Sequence, residues 1–306
     1  MEKTRFKLVE IGMKNRLSLI LLIVFVFSLT ATAQDSTKTD DTLSINYRYK
    51  QNYDFVTMPD TIFTFEGEFI LPEGYHHADS SELNAFQNYV ANFPLWHRFM
   101  PVGSFKGKRV FQKEQISRPV HLPYNGPAYN DCSAPIRILA EYLHDHGREF
   151  DLTVVPKAGE TMTYSKWLTH DITFGAKRAV QFKPGAAKDT TLKEYYTFMR
   201  NCLENTSYQS LGFNCDSIDA PDLMPGDLLV AHDSTGRKGV AFVVMHMLKN
   251  DKKEKLFAVA TGCPEACDFH IPLFNNDKNN PWLTAAQIFK LNGDYPNRGF
   301  LRLRIH

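Results

Sequence analysis

The spacing of apolar residues changes along the chain. Thirteen mostly apolar residues follow one another from Leu17 to Leu29. Between residues 81 and 204, apolar side chains recur every three or four positions in three places, which is typical of amphipathic helices. After Leu223, short β-prone runs alternate with polar turns, which is typical of strands. This order predicts a helix-rich first half and a sheet-rich second half.

Two of the predicted helices have clear apolar stripes. One covers residues 81–93, where Ser80 or Ser81 is expected to act as the N-cap. Another covers residues 191–204, with apolar or aromatic side chains along one face.

The clearest helix signal lies in residues 130–147, NDCSAPIRILAEYLHDHG. Asn130 or Asp131 is a suitable N-cap, and Gly147 is a suitable stop. This assignment places Cys132 in the first turn of the helix.

The predicted strands occupy the C-terminal part of the chain, in the runs GDLLVAHD, VAFVVMHML, LFAVATG, DFHIPLF and GFLRLRI. The first two are separated by six polar residues that contain Gly236 and Gly239, so a β-hairpin is expected there. Helices followed by hairpin-connected strands predict an α+β fold in which the helices pack on an antiparallel sheet.

The N-terminus has the pattern of a secretory signal. Five basic residues precede or accompany the start of the apolar run, and Ala31-Thr32-Ala33 offers a small-residue cleavage site. We therefore expect residues 1–33 to be a signal peptide, 34–66 a polar lead-in and 67–306 a single domain. The alternative is an uncleaved anchor. With cleavage, the protein is expected to be exported to the periplasm or exterior, without a remaining membrane segment.

Charge excludes two classes of partner. The chain has 35 basic and 34 acidic residues, and removal of residues 1–33 leaves 30 and 32. A net charge near −2 without a clustered basic excess gives no footprint for nucleic acid or for anionic lipid. The sequence indicates no cofactor.

Five cysteines in an oxidising compartment permit disulfides. Local pairs Cys202–Cys215 and Cys263–Cys267 are both plausible, although sequence alone does not fix connectivity. Cys263 and Cys267 with His270 would also suit zinc, but a fourth ligand is not evident, so a disulfide is favoured and no metal is expected. Cys132 is left over, either as a small buried residue or as a nucleophile.

A cysteine at a helix N-terminus is well placed for nucleophilic chemistry. Unpaired backbone N–H groups and the helix dipole favour the thiolate, and the same N–H groups can bind an oxyanion. Cys132 is therefore the candidate nucleophile, and Asp131 and Ser133 on either side of it are candidate residues of the cleft.

These motifs resemble two families. NDCSAPIRILAEYL and LMPGDLLVAHDSTGRKGVAFVVMHM resemble the catalytic helix start and the hairpin of NlpC-type cysteine peptidases. From residue 67 to 306, the order of LPEGYHH, CSAPIRILAEYL, TYSKW, PGDLLVAHDSTG and KLFAVATG more closely resembles the exported family catalogued as domain of unknown function 4846. The resemblance implies a papain-like, NlpC-like fold, and it places Tyr164 and Trp167 as possible lining of a cleft.

The resemblance also implies positions for a catalytic base and a third polar residue. The family's histidine corresponds to Val240, which cannot accept a proton, and its glutamine falls near Thr261. His232 on the partner strand is the candidate replacement, since antiparallel pairing is expected to place it opposite or diagonal to Val240. A one-residue change of register would point it away.

Three functional hypotheses follow, and the third gives Cys132 a structural role alone. A degenerate cysteine hydrolase would bind a peptide or a cell-wall fragment without cutting it. An active peptidase or amidase would use Cys132, His232 and Thr261. A purely structural envelope protein would use Cys132 only for packing.

Overall fold

Short apolar runs after residue 223 build most of the six-stranded sheet. A computed structural model describes residues 63–96, 101–104, 108–111, 115–122, 128, 130–264, 266–274 and 276–305. The predicted signal peptide, and the predicted lead-in as far as residue 62, lie outside the described residues.

The described strands are β1 Tyr75–His77, β2 Val102–Gly103, β3 Arg109–Phe111, β4 Ile116–Pro119, β5 Thr153–Val154, β6 Met162–Thr163, β7 His170–Phe174, β8 Val180–Pro184, β9 Cys215–Ile218, β10 Leu228–His232, β11 Gly239–Asn250, β12 Lys255–Ala260, β13 His270–Pro272 and β14 Asn297–Leu303. The described α-helices are α1 Phe65–Glu68, α2 Ala85–Ala91, α3 Ala134–Asp145, α4 Tyr164–Thr169, α5 Leu192–Glu204, α6 Tyr208–Phe213 and α7 Ala285–Phe289.

Six strands form one antiparallel sheet in the order β1-β11-β10-β14-β9, with β12 on the other edge of β11. The long strand β11 is central because β10 and β1 cover successive parts of one edge. The predicted hairpin is confirmed as β10 and β11, and Gly236 in its turn has a φ of +65° that suits glycine. The predicted α+β class is therefore confirmed.

Helices flank this sheet. α2 packs on β11, α6 on β10 and β9, and α7 on β12, while α3 packs against α2 and α5. The stop at Gly147 is confirmed, since α3 ends at Asp145 and Gly147 has a φ of +64°. The helix at 191–204 is also confirmed, because Thr191 caps α5.

The first predicted helix begins later than expected. Asp79 caps a short 3₁₀ turn at Ser80–Glu82, and α2 then starts after Asn84. Asn84 and Gln87 form a reciprocal capping box, which satisfies two backbone N–H groups and outcompetes the serine cap. Within the described residues, no helix is both long and apolar enough to cross a membrane.

Candidate functional site

The sheet opens beside Ala241 on β11. β12 pairs with β11 only from Val243 onward, and beyond that point Thr261 pairs with His270 instead. Side chains therefore replace the missing strand. The Ala241 N–H donates to Asp131 Oδ2 at 3.1 Å, and the Ala241 carbonyl accepts from Thr261 Oγ1 at 2.7 Å.

Asp131 is held by a second hydrogen bond. The Tyr208 hydroxyl, on the first turn of α6, donates to Asp131 Oδ1 at 2.7 Å. Burial raises the pKa of the Asp131 carboxyl to about 6, although the hydrogen bonds from Tyr208 and Ala241 oppose this shift. Asp131 thus joins the turn before α3 to both β11 and α6. Sequence reasoning missed Tyr208, because nothing in the local pattern links it to a residue 77 positions away.

Cys132 is enclosed rather than presented to solvent. Its exposed fraction is 3%, and its thiol donates to Asn130 Oδ1 at 3.0 Å. Burial raises the pKa of the thiol far above its ordinary value, and the neighbouring Asp131 carboxylate raises it further. These surroundings favour the thiol over the nucleophilic thiolate.

The expected oxyanion site is also closed. Cys132 lies in the turn before α3 and not in its first helical turn, because Ser133 is the N-cap. The Ser133 N–H donates to Asn130 Oδ1 at 3.0 Å, and the Ala134 N–H donates to the Asn130 carbonyl at 3.2 Å. These two N–H groups at the start of α3 therefore already have partners.

Ser133 does not line a cleft. It is completely buried, and its hydroxyl donates to the carbonyl of Ala128 at 2.6 Å. Asp131 is likewise buried. Both residues instead fix the turn that carries Cys132.

The register of the hairpin separates His232 from Val240. His232 is opposite Gly239, whereas Val240 is opposite Ala231. Because side chains alternate between the faces of a sheet, His232 and Val240 point to opposite faces. The expectation that His232 lies opposite or diagonal to Val240 is therefore wrong, and the His232 ring instead bonds the Asp233 carbonyl at 2.6 Å.

Thr261 has a structural partner in place of a catalytic one. Its hydroxyl is committed to the Ala241 carbonyl, and its backbone pairs with His270. The next residue, Gly262, packs on the turn so closely that an added Cβ would lie 3.0 Å from Asp131 N. Cys132 and Thr261 are therefore near the same junction, but the described residues provide no Cys–His pair there.

Tyr164 and Trp167 belong to the core. Tyr164 is buried against Tyr195 and Phe198 on α5, and the Trp167 indole donates to Glu194 Oε1 at 2.6 Å. Helical spacing on α4 turns both rings toward α5. This position explains the Tyr-Ser-Lys-Trp pattern as helix packing and not as the lining of a cleft.

Two cysteines form a disulfide and three do not. Cys263 and Cys267 are bonded, with their Cα atoms 5.4 Å apart. Cys202 and Cys215 are separate buried thiols, which corrects their candidate pairing. Cys202 faces the interior from α5, whereas Cys215 opens β9 at the sheet edge. Within the part of the chain that the structure describes, no group of three or more candidate ligands could bind a metal.

An apolar cavity of about 670 Å³ adjoins the junction on the Phe242 side of the sheet. We call it the Phe242 cavity. Its described lining is Ser104, Val110, Phe111, Phe242, Thr261, Gly262, Cys263, Pro264, His270, Pro272, Phe274 and Leu291. Seven of these are apolar aliphatic, aromatic or proline side chains, so the cavity suits an apolar group more than a sugar.

His270 is the buried titratable group of this wall. Its ring Nδ1 bonds the Asp268 carbonyl at 2.9 Å, and burial lowers the pKa of the imidazole to about 4. The ring is therefore neutral near pH 7. Sequence reasoning considered His270 only beside Cys263 and Cys267, and the signal that would have found it is its place on a short apolar strand.

These observations define a class of protein. It is an α+β domain with an antiparallel sheet, an apolar cavity edged by a disulfide, and an enclosed cysteine. The family model described as Domain of unknown function (4846) matches residues 65–296. The chain belongs to this family. Searches of curated proteins and of solved structures gave no match.

Proposed function

We propose that the protein is an exported envelope protein of papain-like descent that binds a peptide, or a peptide-bearing cell-wall fragment, without cutting it. The observation that carries this proposal is the enclosed Cys132 thiol at the junction of the α3 turn and β11. A cysteine directly before a helix, in an α+β domain with an antiparallel sheet, supports the papain-like assignment. The missing chemistry supports binding over hydrolysis.

Two contacts and one residue identity argue against turnover at this junction. The thiol donates to Asn130, and the Ser133 N–H is already bonded to Asn130. The family resemblance aligns Val240, which cannot accept a proton, with the family's histidine. A cysteine hydrolase needs a thiolate, a proton acceptor in reach and free oxyanion donors. Among the described residues, burial favours the thiol, no histidine is hydrogen-bonded to it, and the Ser133 and Ala134 N–H groups already have partners.

The Phe242 cavity supplies the binding site of the proposal. Its volume lies within the usual range of ligand pockets, and Thr261, Ser104 and His270 provide a few polar groups at its wall. Such a wall suits a peptide side chain better than a glycan, whose hydroxyls would lose their hydrogen bonds to water. We infer that the peptide portion of a cell-wall fragment is what the cavity recognises.

Export is supported by the N-terminal pattern of residues 1–33 together with the Cys263–Cys267 bond, which is stable in an oxidising compartment. The place of action is therefore the periplasm or exterior. N-terminal sequencing of the protein recovered from its native compartment tests this part, and a start at Gln34 is expected.

Binding and turnover are tested together with a stem-peptide fragment of peptidoglycan as the probe. Calorimetry on the intact mature protein should show saturable binding, and chromatography of the same mixture should show the fragment uncut after many hours. Phe242→Trp should fill the cavity and weaken binding at least about tenfold. The matched Phe213→Trp variant, at an exposed position on α6, should bind like the parent.

Two results would overturn the proposal in different ways. Cleavage that disappears in Cys132→Ala would establish an active hydrolase. Equal binding by the parent and Phe242→Trp would move the site away from the cavity.

A further inference from the structure

The hairpin of β7 and β8 has one open backbone edge. The Gly175 N–H donates to the Ala179 carbonyl at 2.9 Å, and the Gly185 N–H donates to the Thr169 carbonyl at 3.2 Å. Hydrogen bonds in an antiparallel pair join alternate opposed residues. The odd-numbered residues of β7 therefore bond β8, and the backbone groups of Ile172 point outward.

The partners of β8 support this assignment. Its own outward groups are covered, because the Val180 N–H donates to the Ala158 carbonyl and the Phe182 N–H donates to Glu160 Oε1. Phe182 is opposite Ile172. Because the backbone groups of Phe182 point away from β7, those of Ile172 point away from β8. Among the described residues, the outward backbone groups of Ile172 and Phe174 have no partner. An edge of this kind is a template for another strand.

The side chains beside this edge are apolar and accessible. Phe174 is 48% exposed, and Ile172 and Phe182 on the same face are half-buried. At the lower end of the strand, Lys188 Nζ donates to the His170 carbonyl at 2.6 Å and closes the edge. The open part therefore offers two apolar positions, at Ile172 and Phe174.

The upper end of the edge is basic. Lys177 and Arg178 form the hairpin tip, both with positive φ, and the Arg178 guanidinium lies 5.7 Å from the centre of the Phe174 ring. In the part of the chain that the structure describes, neither cation forms a salt bridge. A carboxylate placed just beyond Phe174 would meet both of them.

We propose that the outer edge of β7 binds an extended acidic peptide segment as an added antiparallel strand. Backbone hydrogen bonds to Ile172 and Phe174 supply the alignment, and apolar side chains at alternate positions of the peptide pack beside those two residues. Antiparallel direction places the N-terminal end of the peptide at the hairpin tip. Acidic residues at that end therefore meet Lys177 and Arg178.

Charge selects a separate acidic segment as the occupant. The Asp171 carboxylate at the other end of β7 already pairs with Lys188 Nζ at 3.3 Å. In antiparallel self-pairing about Ile172, the Lys177 and Arg178 tip of each copy would therefore meet a carboxylate that already has a cation. A separate acidic segment brings unpaired carboxylates to the same tip.

The probe is the acetylated, amidated peptide Asp-Asp-Val-Thr-Val-Thr-Val, titrated into the full mature protein and followed by amide chemical shifts and hydrogen exchange. We expect the amides of Ile172 and Phe174 to become protected. Two variants of the peptide carry N-methyl groups on its backbone nitrogens, one at the odd positions and one at the even positions. Their affinities should differ by at least about tenfold. Only one set of peptide N–H groups faces β7.

The matched protein variants are Ile172→Pro and Ile172→Val. Because the Ile172 N–H points outward, proline removes the donor without removing a bond between β7 and β8. Ile172→Pro should lose at least about tenfold in affinity, and Ile172→Val should stay within about twofold. If Ile172→Pro does not fold, the pair of N-methylated peptides still decides the question.

Two outcomes would overturn the proposal. One is equal binding of both N-methylated peptides, since backbone pairing requires a difference. The other is a protein that does not bind the peptide but does bind vesicles of equal parts phosphatidylglycerol and phosphatidylcholine. If Lys177→Ala and Arg178→Ala abolish that vesicle binding, the hairpin tip is a site for anionic lipid.

Discussion

The carboxylate of Asp131 accepts the backbone N–H of Ala241 at 3.1 Å. This contact joins the turn that carries Cys132 to the central strand β11 at the point where β12 departs. With the Thr261 hydroxyl on the Ala241 carbonyl, it completes the hydrogen bonding of an otherwise open strand edge. The residues that the sequence places nearest to catalytic chemistry are thus used to close the sheet.

Ionisation of Asp131 should lower the free energy of unfolding as pH rises. Its pKa in the fold is about 6, above the ordinary value of 3.8, so its contribution to stability is present below pH 3.8 and is lost as pH rises through 6. The loss amounts to at most about 3 kcal/mol. Asp131→Asn keeps an acceptor oxygen and removes the charge, so the variant should gain stability relative to the parent between pH 4 and 7.

Urea unfolding of both proteins at several pH values measures this difference. Comparison with the parent at each pH cancels the titration of the other groups. A difference in unfolding free energy that stays constant from pH 4 to 7 would contradict the assignment.

Protonation of His246 should lower the free energy of unfolding as pH falls. Its ring is buried between the Ala91 carbonyl, at 2.8 Å, and His77 Nδ1, at 2.9 Å, and burial lowers the pKa of the imidazole from 6.5 to about 4. Stability is then lost as pH falls from 6.5 through 4, by about 3 kcal/mol. His246→Gln should flatten this part of the stability profile.

His76→Gln is the matched control, because His76 is an exposed histidine on the same strand as His77. It should leave the acid limb of the unfolding profile unchanged. If His246→Gln and the parent lose stability equally as pH falls, His246 does not titrate as described.

The thiols should be unreactive until the protein unfolds. Cys132, Cys202 and Cys215 are free and buried, and burial raises the pKa of each thiol. Ellman's reagent at pH 8 should therefore label almost none in the native protein and three in urea. Cys132→Ser should reduce the second number to two.

Rapid labelling of one thiol in the native parent, absent in Cys132→Ser, would contradict this expectation. It would also reopen the hydrolase as the better function.

Thr261→Val should destabilise the domain. The substitution removes the hydroxyl that donates to the Ala241 carbonyl and leaves that acceptor without its partner. A cost of about 1–3 kcal/mol in unfolding free energy is expected. Thr261→Ser keeps the donor and should recover most of the loss.

Unfolding midpoints of the three proteins provide the measurement. If the serine and valine variants lose equal stability, the hydroxyl does not hold the strand edge, and packing of the Thr261 methyl group is the better explanation.

Local pattern was sufficient for much of the fold. The helix α5, the stop at Gly147 and the hairpin of β10 and β11 were predictable, since capping residues, helical spacing and turn glycines act within a few positions. The start of α2 was not, because Asn84 and Ser80 compete for the same role. That choice depends on the capping box with Gln87.

The candidate site was decided by contacts between distant residues. The sequence by itself determined that a cysteine lies at the start of a predicted helix and that a β-hairpin follows it along the chain. Only the tertiary structure decided that His232 faces Gly239, that Tyr208 holds Asp131 and that the thiol is enclosed. Strand register and burial arise from packing between segments far apart in the chain, and a shift of one residue reverses the face of every side chain.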